Sequence, residues 1–481
     1  MRATFRALAA IFGLAAFAGG PASATDSVGP HSDAAALRAS RGAHVGQELQ
    51  LEFELRHDED APSPLTLRLG ADYLDLVERG RETIYDFRLR RRLVLDRTAR
   101  TFTNIALYSD IAFRRFDMEK RAILAEMMQR AAGEDAAMMA LRPFWIETEV
   151  GLSSGLSPRP SIEREALADG ASRFRVDGAE VAYVASMPDR FSLREGQAFA
   201  RFLRYRLTLH PDIIAAIEED GRVPRRLVFV TVNGEDRHVA GLVLRAAEHR
   251  QSDYPLPSDF APLAIAANAQ DPESATLRHL LPLMLDAVAK KREARSLADY
   301  RRDVENALAR HDGFEAALLL AEMTLQYGRG ASDCAAGTPP SCRTSEDIGR
   351  QLGEDARAAA LYRAQTVGAT DAREALAIWR GLSRDDAPHG YVVDLFIANL
   401  ESAANHREAA AVAFEKVLRR NPVLGALYKD LGDHYLRGGR VDLAWICYDL
   451  GRALRARLEG SSLKAVDALE QSLTAQYADF F

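Results

Sequence analysis

The chain contains few cysteines, few lysines and no long uninterrupted apolar segment after its first residues. Only 3 cysteines occur in 481 residues, without the spacing of a zinc site or a thioredoxin motif. After residue 24, no stretch approaches the ~20 apolar residues that a membrane-spanning helix needs. A glycine-rich phosphate loop, a zinc-protease helix and a dinucleotide fingerprint are also absent. We therefore expect no membrane span in the mature chain, no metal ion and no cofactor.

Charge of one sign is not in large excess either. The chain has 62 Lys+Arg and 69 Asp+Glu, a formal net charge of −7, and only six of the basic residues are lysines. An acidic balance argues against nucleic-acid binding, because proteins of that class carry a basic surface that displaces counterions from phosphates. The hydrophobic fraction of 47% excludes disorder and collagen, and the length predicts two or three domains.

The first 24 residues resemble a secretory signal peptide. Arg2 and Arg6 precede an apolar run over residues 8–17, and small residues at Ala22 and Ala24 follow it. No cysteine follows the small-residue site to accept a lipid. We expect cleavage near Ala24 and a periplasmic or secreted mature protein; an uncleaved anchor is the alternative.

Export changes how the cysteines are interpreted, because oxidising compartments allow disulfides to persist. Cys334 and Cys342 flank a segment with glycine and two prolines that can bend back on itself. We predict a local disulfide between them. Cys447 lies in an apolar helical pattern, where cysteine behaves as a small buried hydrophobe.

The N-terminal half has the pattern of a sheet with a few helices. Apolar and polar residues alternate over residues 49–56, which predicts a strand with one buried face. The dipeptides Asp177-Gly178 and Asn233-Gly234 predict two hairpins, since both tolerate the positive φ of a tight turn. Helices are predicted over residues 116–130 and from a capping box that begins at Ser192. This half is predicted to be α+β and mostly antiparallel.

The composition changes after the segment Tyr254-Pro255-Leu256-Pro257, whose prolines are typical of a linker. Ala, Leu, Glu and Arg then dominate, and β-branched residues become sparse, as in packed helix pairs. We therefore expect a signal peptide over residues 1–24, an α+β domain over 25–257 and an all-α domain over 258–481.

The helical half contains a repeated pattern near its C-terminus. The best match consists of Tyr428, Leu431, Gly432, Tyr435, Ala444 and Tyr448. Ala410 and Phe414 repeat the last pair 34 residues upstream, and Ala375 and Trp379 repeat it 35 residues before that. This spacing resembles the tetratricopeptide repeat (TPR) over residues 355–456, about a quarter of the chain. The first helix of the middle repeat departs from the family pattern.

The resemblance implies that the chain binds an extended peptide or a partner protein on a concave surface. The inward positions implied by the family pattern are Leu395, Asn399, Lys429, Asp433 and Arg437. Asn, Lys and Arg at such positions resemble the clamp with which the family holds a C-terminal carboxylate. Asp433 lies between the two cations on the same helical face and would neutralise part of their field. The alternative is a solvated helix face whose charges pair with one another.

A serine-hydrolase pattern occurs at residues 151–155, with Ser153 at its centre, after an apparent strand at residues 144–150. Prolines 158 and 160 follow where an elbow needs a helix, so we expect the match to be accidental. A catalytic triad with Ser153 would need an acid, Asp177 or Asp189, and a histidine, His210 or His238.

Two charged segments have ordinary interpretations that we favour. Residues 57–60 concentrate His, Asp and Glu, but four consecutive residues on an extended strand cannot all point to one metal ion. Arg88, Arg90 and Arg92 alternate along an expected strand and could hold anionic head groups. A solvated strand face is the better interpretation of this alternation.

Three functional hypotheses follow. The first is a non-enzymatic exported adaptor of the bacterial envelope, whose helical repeats bind a protein partner. The second is a carrier in which the N-terminal sheet and the helix containing Ile123, Leu124, Met127 and Met128 enclose a lipid or another apolar ligand. The third is a hydrolase that uses Ser153. The adaptor has the most specific motif.

Overall fold

The structure is a computed structural model, and it describes thirteen stretches of the chain. These are residues 29–41, 45–58, 61–131, 136–153, 161–186, 191–233, 236–266, 269–290, 295–327, 352–368, 370–382, 387–454 and 463–481. The chain forms two compact units. The β unit comprises Ser32–Leu263 and Ser472–Phe481, and the helical unit comprises Ala264–Gln471 with the residues up to His31. The fold class is α+β, as predicted. The signal segment lies outside the described residues.

The β unit is built on one sheet of twelve described strands. The strands are β1 (Val45–His57), β2 (Ser63–Leu69), β3 (Tyr73–Glu78), β4 (Arg81–Asp86), β5 (Arg91–Asp96), β6 (Thr101–Ala106), β7 (Ile162–Ala166), β8 (Ser172–Val176), β9 (Ala179–Ser186), β10 (Pro224–Asn233), β11 (Asp236–Asp253) and β12 (Ala261–Leu263). Their order is β12-β6-β5-β4-β3-β2-β1-β11-β10-β9-β8-β7. Neighbouring strands are antiparallel except for β12, which pairs with β6 in parallel.

Five described helices lie entirely within this unit. They are α1 (Ala34–Arg41), α2 (Leu107–Ala131), α3 (Ala136–Val150), α4 (Leu193–Arg206) and α5 (Pro211–Asp220). The predicted capping box is confirmed, since Ser192 caps α4 and exchanges hydrogen bonds with Glu195. The Asp177-Gly178 turn is also confirmed, with φ of 51° and 76°. Gly234 of the second predicted turn lies outside the described residues, but β10 and β11 form the expected antiparallel pair.

One face of the sheet is apolar and lies under α4. Leu51 and Phe53 are 0% and 3% exposed, and the Phe53 ring lies 5.7 Å from that of Phe199 on α4. The predicted strand over residues 49–56 is therefore confirmed, with its leucines on this face. Burial of one such side chain stabilises the fold by about 1.5–3 kcal/mol.

The opposite face is polar, and α1 covers part of it. Arg41, the last residue of α1, is 1% exposed; it donates to Asp86 Oδ2 at 2.9 Å and pairs with Asp72. Its guanidinium lies 5.1 Å from the Tyr73 ring centre and 4.4 Å from that of Tyr254. Two carboxylates and two rings thus compensate for the loss of water around the buried cation.

The proline-containing segment expected to be a linker is part of the β unit. Tyr254 and Leu256 are buried, and Arg38 Nη1 donates to the carbonyl oxygens of both residues at 2.9 and 2.7 Å. The compact β unit accordingly extends to Leu263 rather than ending at Pro257. The prolines end the strand pairing here, but the side chains of Tyr254 and Leu256 are largely apolar and pack into the core of the β unit.

Residues 472–481 also lie in the β unit, although the sequence placed them in the helical domain. Tyr205 donates its hydroxyl to the carbonyl oxygen of Phe480 at 3.0 Å, and the two rings pack edge to face. The Phe481 ring lies 5.2 Å from that of Tyr108. Two terminal aromatic residues thus complete the core beside α2 and α4.

Two local predictions are wrong. Residues 144–150 form the end of helix α3 rather than a strand, because a short apolar run fits both a buried helix and a buried strand. Arg88, Arg90 and Arg92 do not share a strand face, since the chain turns after β4 and Arg90 adopts a φ of 55°. Arg90 hydrogen-bonds Tyr108, and Arg92 pairs with Asp110.

The helical unit consists of consecutive helices. Those described are α6 (Pro272–Ala289), α7 (Leu297–Ala309), α8 (Gly313–Tyr327), α9 (Ala356–Val367), α10 (Ala372–Leu382), α11 (Tyr391–Ala403), α12 (Arg407–Arg420), α13 (Gly425–Arg437), α14 (Val441–Ala453) and α15 (Lys464–Gln476), the last of which continues into the β unit. The described helices include four hairpins, α7/α8, α9/α10, α11/α12 and α13/α14, and the two helices of each pack together.

Two glycines allow close approach within the α13/α14 hairpin. A Cβ atom on Gly432 would lie 2.2 Å from a ring carbon of Tyr448, and one on Gly451 would lie 2.9 Å from Tyr428 Cβ. Each aromatic ring therefore packs where the opposite helix has no side chain. This reciprocal contact sets the spacing of the two helices.

We expect Gly432→Ala to destabilise the protein by about 1–3 kcal/mol, because the added methyl group displaces the Tyr448 ring. The matched control is Gly381→Ala on α10, where an added Cβ has no neighbour within 4 Å. That change should be neutral or stabilising by up to ~1 kcal/mol. Urea unfolding of both variants measures the difference, and equal effects would contradict the packing argument.

Asp75 on β3 is a buried carboxyl group of the polar face. It is 0% exposed and accepts a hydrogen bond from Arg68 Nη1 at 2.7 Å. Burial, with a contribution from the negative charge of Glu82, raises its pKa to about 7, although Arg68 acts in the opposite direction. The protonated carboxyl thus stabilises the fold below pH ~4, and this stabilisation is lost as the pH rises through about 7.

We therefore expect Asp75→Asn to be more stable than the wild type at pH 8 by about 4 kcal/mol, with the difference vanishing near pH ~4. Unfolding free energies measured between pH 4 and 8 test this expectation. Glu219→Gln removes an exposed carboxylate from α5 and is the control. A stability difference that does not depend on pH would contradict the titration of Asp75.

Candidate functional site

The five residues implied by the TPR resemblance lie on α11 and α13. Leu395 is 1% exposed and belongs to the core of the helical unit, and Lys429 is 7% exposed. Asn399 and Asp433 are half-buried, whereas Arg437 is exposed. The structure thus brings the polar members together on two neighbouring helices and leaves Arg437 as the member most accessible to a partner.

The polar members are hydrogen-bonded to one another or to their neighbours. Asn399 donates to Asp430 Oδ2 at 2.7 Å, and Lys429 pairs with Asp433. The Tyr448 hydroxyl donates to the other oxygen of Asp433 at 2.7 Å. Burial raises the pKa of Asp430 to about 6, against the effect of the nearby Lys429. The ammonium of Lys429 is therefore already compensated within the unit.

A second group of contacts joins the C-terminal ends of α11 and α13. Arg437 Nη2 donates to Ser402 Oγ at 2.7 Å, and Ser402 Oγ lies 2.9 Å from His434 Nδ1. Burial, followed by the positive charges of Arg437 and Arg407, lowers the pKa of His434 to about 4. The ring is thus neutral near pH 7, and the Ser402 hydroxyl can donate to it.

In this geometry the charges of the helix face pair with one another, which is the alternative stated above. An open clamp for an anion would instead leave its cations without partners. The two cations already have partners, and Leu395 and Lys429 are covered by protein. A ligand role for the five residues stays a prediction.

The structure also shows a buried polar cluster that none of the sequence patterns above indicated. Glu322 on α8 is 2% exposed and accepts hydrogen bonds from the Tyr300 hydroxyl and from Asn421 Nδ2, the latter at 3.1 Å. His389 Nδ1 lies 2.7 Å from its other carboxylate oxygen. Burial acts to raise the pKa of Glu322, but the hydrogen bonds outweigh burial and lower it.

His389 connects this carboxylate with a second one. Its Nε2 atom lies 3.5 Å from Glu315 Oε1 and 3.3 Å from Arg295 Nη1. Burial raises the pKa of Glu315. The available signal was Glu322 within the otherwise mostly apolar second half of α8, since buried carboxylates need partners. Burial raises the pKa values of Tyr300 and Tyr391. The hydrogen bonds of the cluster connect α7 and α8 with the residues that precede α11 and α13.

The residues proposed for a hydrolase do not assemble. Ser153 is exposed and follows helix α3, and its side chain forms no hydrogen bond with a described histidine. His210 is buried against Glu147 at 3.0 Å, and His238 lies 2.6 Å from Asp58. Asp189 lies outside the described residues. Asp58 of the acidic segment caps the backbone of Val239, and the described residues contain no cluster able to hold a metal ion.

The structure also bears on the carrier hypothesis, on the three cysteines and on a membrane span. Ile123 and Leu124 of the carrier hypothesis are 61% and 53% exposed, so they do not line an enclosed interior. The side chains of Met127 and Met128 are not described. Cys334 and Cys342 lie outside the described residues, and their disulfide stays a prediction. Cys447 is buried as expected, and burial raises the pKa of its thiol. No described helix has the length and apolar character to cross a membrane.

No family model matches the chain, and no curated protein or solved structure matches it either.

We expect His434→Gln to change how stability depends on pH. In the wild type the neutral ring stabilises the fold above pH ~6.5, and this contribution is lost as the pH falls to about 4. The free energy of unfolding of the variant should be lower than that of the wild type by about 1–2 kcal/mol at pH 7. This difference, the gap, should narrow towards pH 4.

Thermal unfolding of both proteins across pH 4–7 measures this gap. His279→Gln replaces a histidine that is 64% exposed and controls for the loss of one surface histidine. A constant gap would show that His434 is not held neutral by its surroundings.

Proposed function

We propose that this protein is an exported adaptor that binds a protein partner through its helical unit and has no catalytic role of its own. The observation that carries the proposal is the set of four described helix hairpins, α7/α8, α9/α10, α11/α12 and α13/α14. Such arrays bury their apolar faces between neighbours and leave an extended surface for a partner.

The packing of the α13/α14 hairpin supports a TPR-like interpretation. In that family a small residue on the first helix contacts an aromatic residue on the second, and Gly432 and Tyr448 make this contact here. Ala410 and Phe414 of α12 are each 0% exposed, as are Ala375 on α10 and Ala444 on α14. The repeated small and aromatic positions thus serve the same packing role in successive hairpins.

The side chains on the first helices indicate where a partner binds. Lys429 forms an ion pair with Asp433, and Asn399 donates a hydrogen bond to Asp430. These contacts argue against a fixed clamp for a carboxylate. Ala403 and Arg437 are exposed at equivalent positions, 34 residues apart, at the ends of α11 and α13. We propose that the partner contacts the unit along this line of first-helix ends.

Site-specific photo-crosslinking in the producing cell tests this surface. A photoreactive amino acid at Ala403 or at Arg437 should trap the same partner, seen as one adduct of defined mass. Arg419 on the second helix α12 is 54% exposed and is the matched control position. Excess unlabelled protein should compete for the adduct if binding is specific and saturable.

The proposal fails if position 419 gives the same adduct as positions 403 and 437. It also fails if all three positions give none while the protein is present at its normal level. Export is tested separately, by finding whether the mature N-terminus lies near residue 25 in the periplasmic or secreted fraction.

A further inference from the structure

A groove lies on the polar face of the sheet, on strands β1, β11 and β10. It has a volume of ≈ 350 Å³, within the range of about 300–1,000 Å³ that small-ligand pockets occupy. The lining residues are Arg56, Asp58, Arg226, Val228, Val239, Ala240, Gly241, Val243 and Arg245. They belong to the β unit, so the groove is separate from the helical surface proposed above.

The strand register explains why a groove forms here. Gly241 on β11 pairs with Arg56 on β1 and with Val228 on β10, so the middle of this row has no side chain. Val239 and Val243 lie before and after Gly241 on the same face of β11. Val239 is 49% exposed. The floor of the groove is therefore apolar and accessible.

The rim of the groove carries an excess of positive charge. Arg56 and Arg245 both pair with Glu54, and these two arginines lower the pKa of that carboxyl. Asp58 accepts hydrogen bonds from the Val239 amide at 2.6 Å and from His238. Both nearby carboxylates are thus engaged.

Arg226 is the third arginine of the rim, and it differs from the other two. It lies on β10 in the row of Glu54 and Val243, is exposed, and forms no ion pair with a described residue. Its planar guanidinium therefore has donors free for a bidentate carboxylate.

We propose that this groove binds the carboxylate of a linear alkyl acid, with the head group on Arg226 and the chain on Val228, Val239 and Val243. A carboxylate matches a single free guanidinium in shape and charge, and the exposed Val239 and the half-buried Val228 and Val243 gain from covering by an alkyl chain. The site binds a free amphiphile and requires no change in the fold.

Calorimetric titration of the full mature chain with laurate, below the micelle concentration, tests the proposal. We expect one saturable site for laurate. Dodecyltrimethylammonium has the same chain with a cationic head and should bind at least tenfold more weakly. Equal binding of both amphiphiles would overturn the proposal, and tighter binding of dodecyl phosphate than of laurate would overturn the head-group assignment.

Two variants test the chain site and the head-group site separately. Gly241→Val fills the groove, and the strand tolerates it because an added Cβ meets only Leu227 O at 3.4 Å and Val228 Cγ2 at 3.8 Å. Arg226→Gln removes the proposed partner of the carboxylate. Each change should weaken laurate binding at least tenfold, and the melting temperature of each variant reports whether the fold is kept.

Arg225→Gln removes the adjacent exposed arginine and makes the same change in net charge. It should leave the affinity for laurate within about twofold of the wild type. If Arg226→Gln and Arg225→Gln have equal effects, the binding is a general charge effect and the proposal is wrong. Unchanged affinity in a folded Gly241→Val variant would likewise exclude the groove.

Discussion

The β unit depends on one buried cation. The guanidinium of Arg41 is held by Asp86 and Asp72 and lies against the rings of Tyr73 and Tyr254. Arg41 is the last residue of α1, and these partners come from the sheet, from the turn between β2 and β3 and from the segment that follows β11. A buried charge that loses its partners costs several kcal/mol, so the arrangement forms as a whole or not at all. It fixes α1 on the polar face and leaves the far part of that face, over β10 and β11, open.

The helical unit likewise contains a buried charged side chain, in this case a negative one. Glu322 is a buried anion whose hydrogen-bond donors come from α7, from the segment before α11 and from the segment before α13. Apolar packing between helices specifies direction only loosely, whereas a carboxylate requires its donors at defined positions. The successive hairpins are therefore held in one relative arrangement by a polar contact inside an otherwise apolar core.

Local patterns predicted the local structure well. The alternation around Leu51 and Phe53, the capping box at Ser192 and the turn at Asp177 each depend on neighbours a few residues away. The turn at Arg90 was missed locally, whereas the other failures involve contacts that are distant in sequence. Residues 144–150 are helical because of what they pack against, and the partners of Glu322 lie up to 99 residues away. The polar members of the proposed site lie on two neighbouring helices, but their pairing with Asp430 and Ser402 follows from packing that the repeat pattern does not encode.

The chain leaves the β unit at Leu263 and returns to it at Ser472. The segment Ala264–Gln471 of the helical unit is therefore inserted between two parts of the β unit, and both ends of this segment are covalently linked to that unit. Closing these ends limits the conformations open to the helical unit when it unfolds, which favours its folded state through loop entropy. The same connectivity means that neither unit can be isolated by a single cut. A fragment that stops before residue 472 lacks Phe480 and Phe481, and it exposes the rings of Tyr205 and Tyr108 to water.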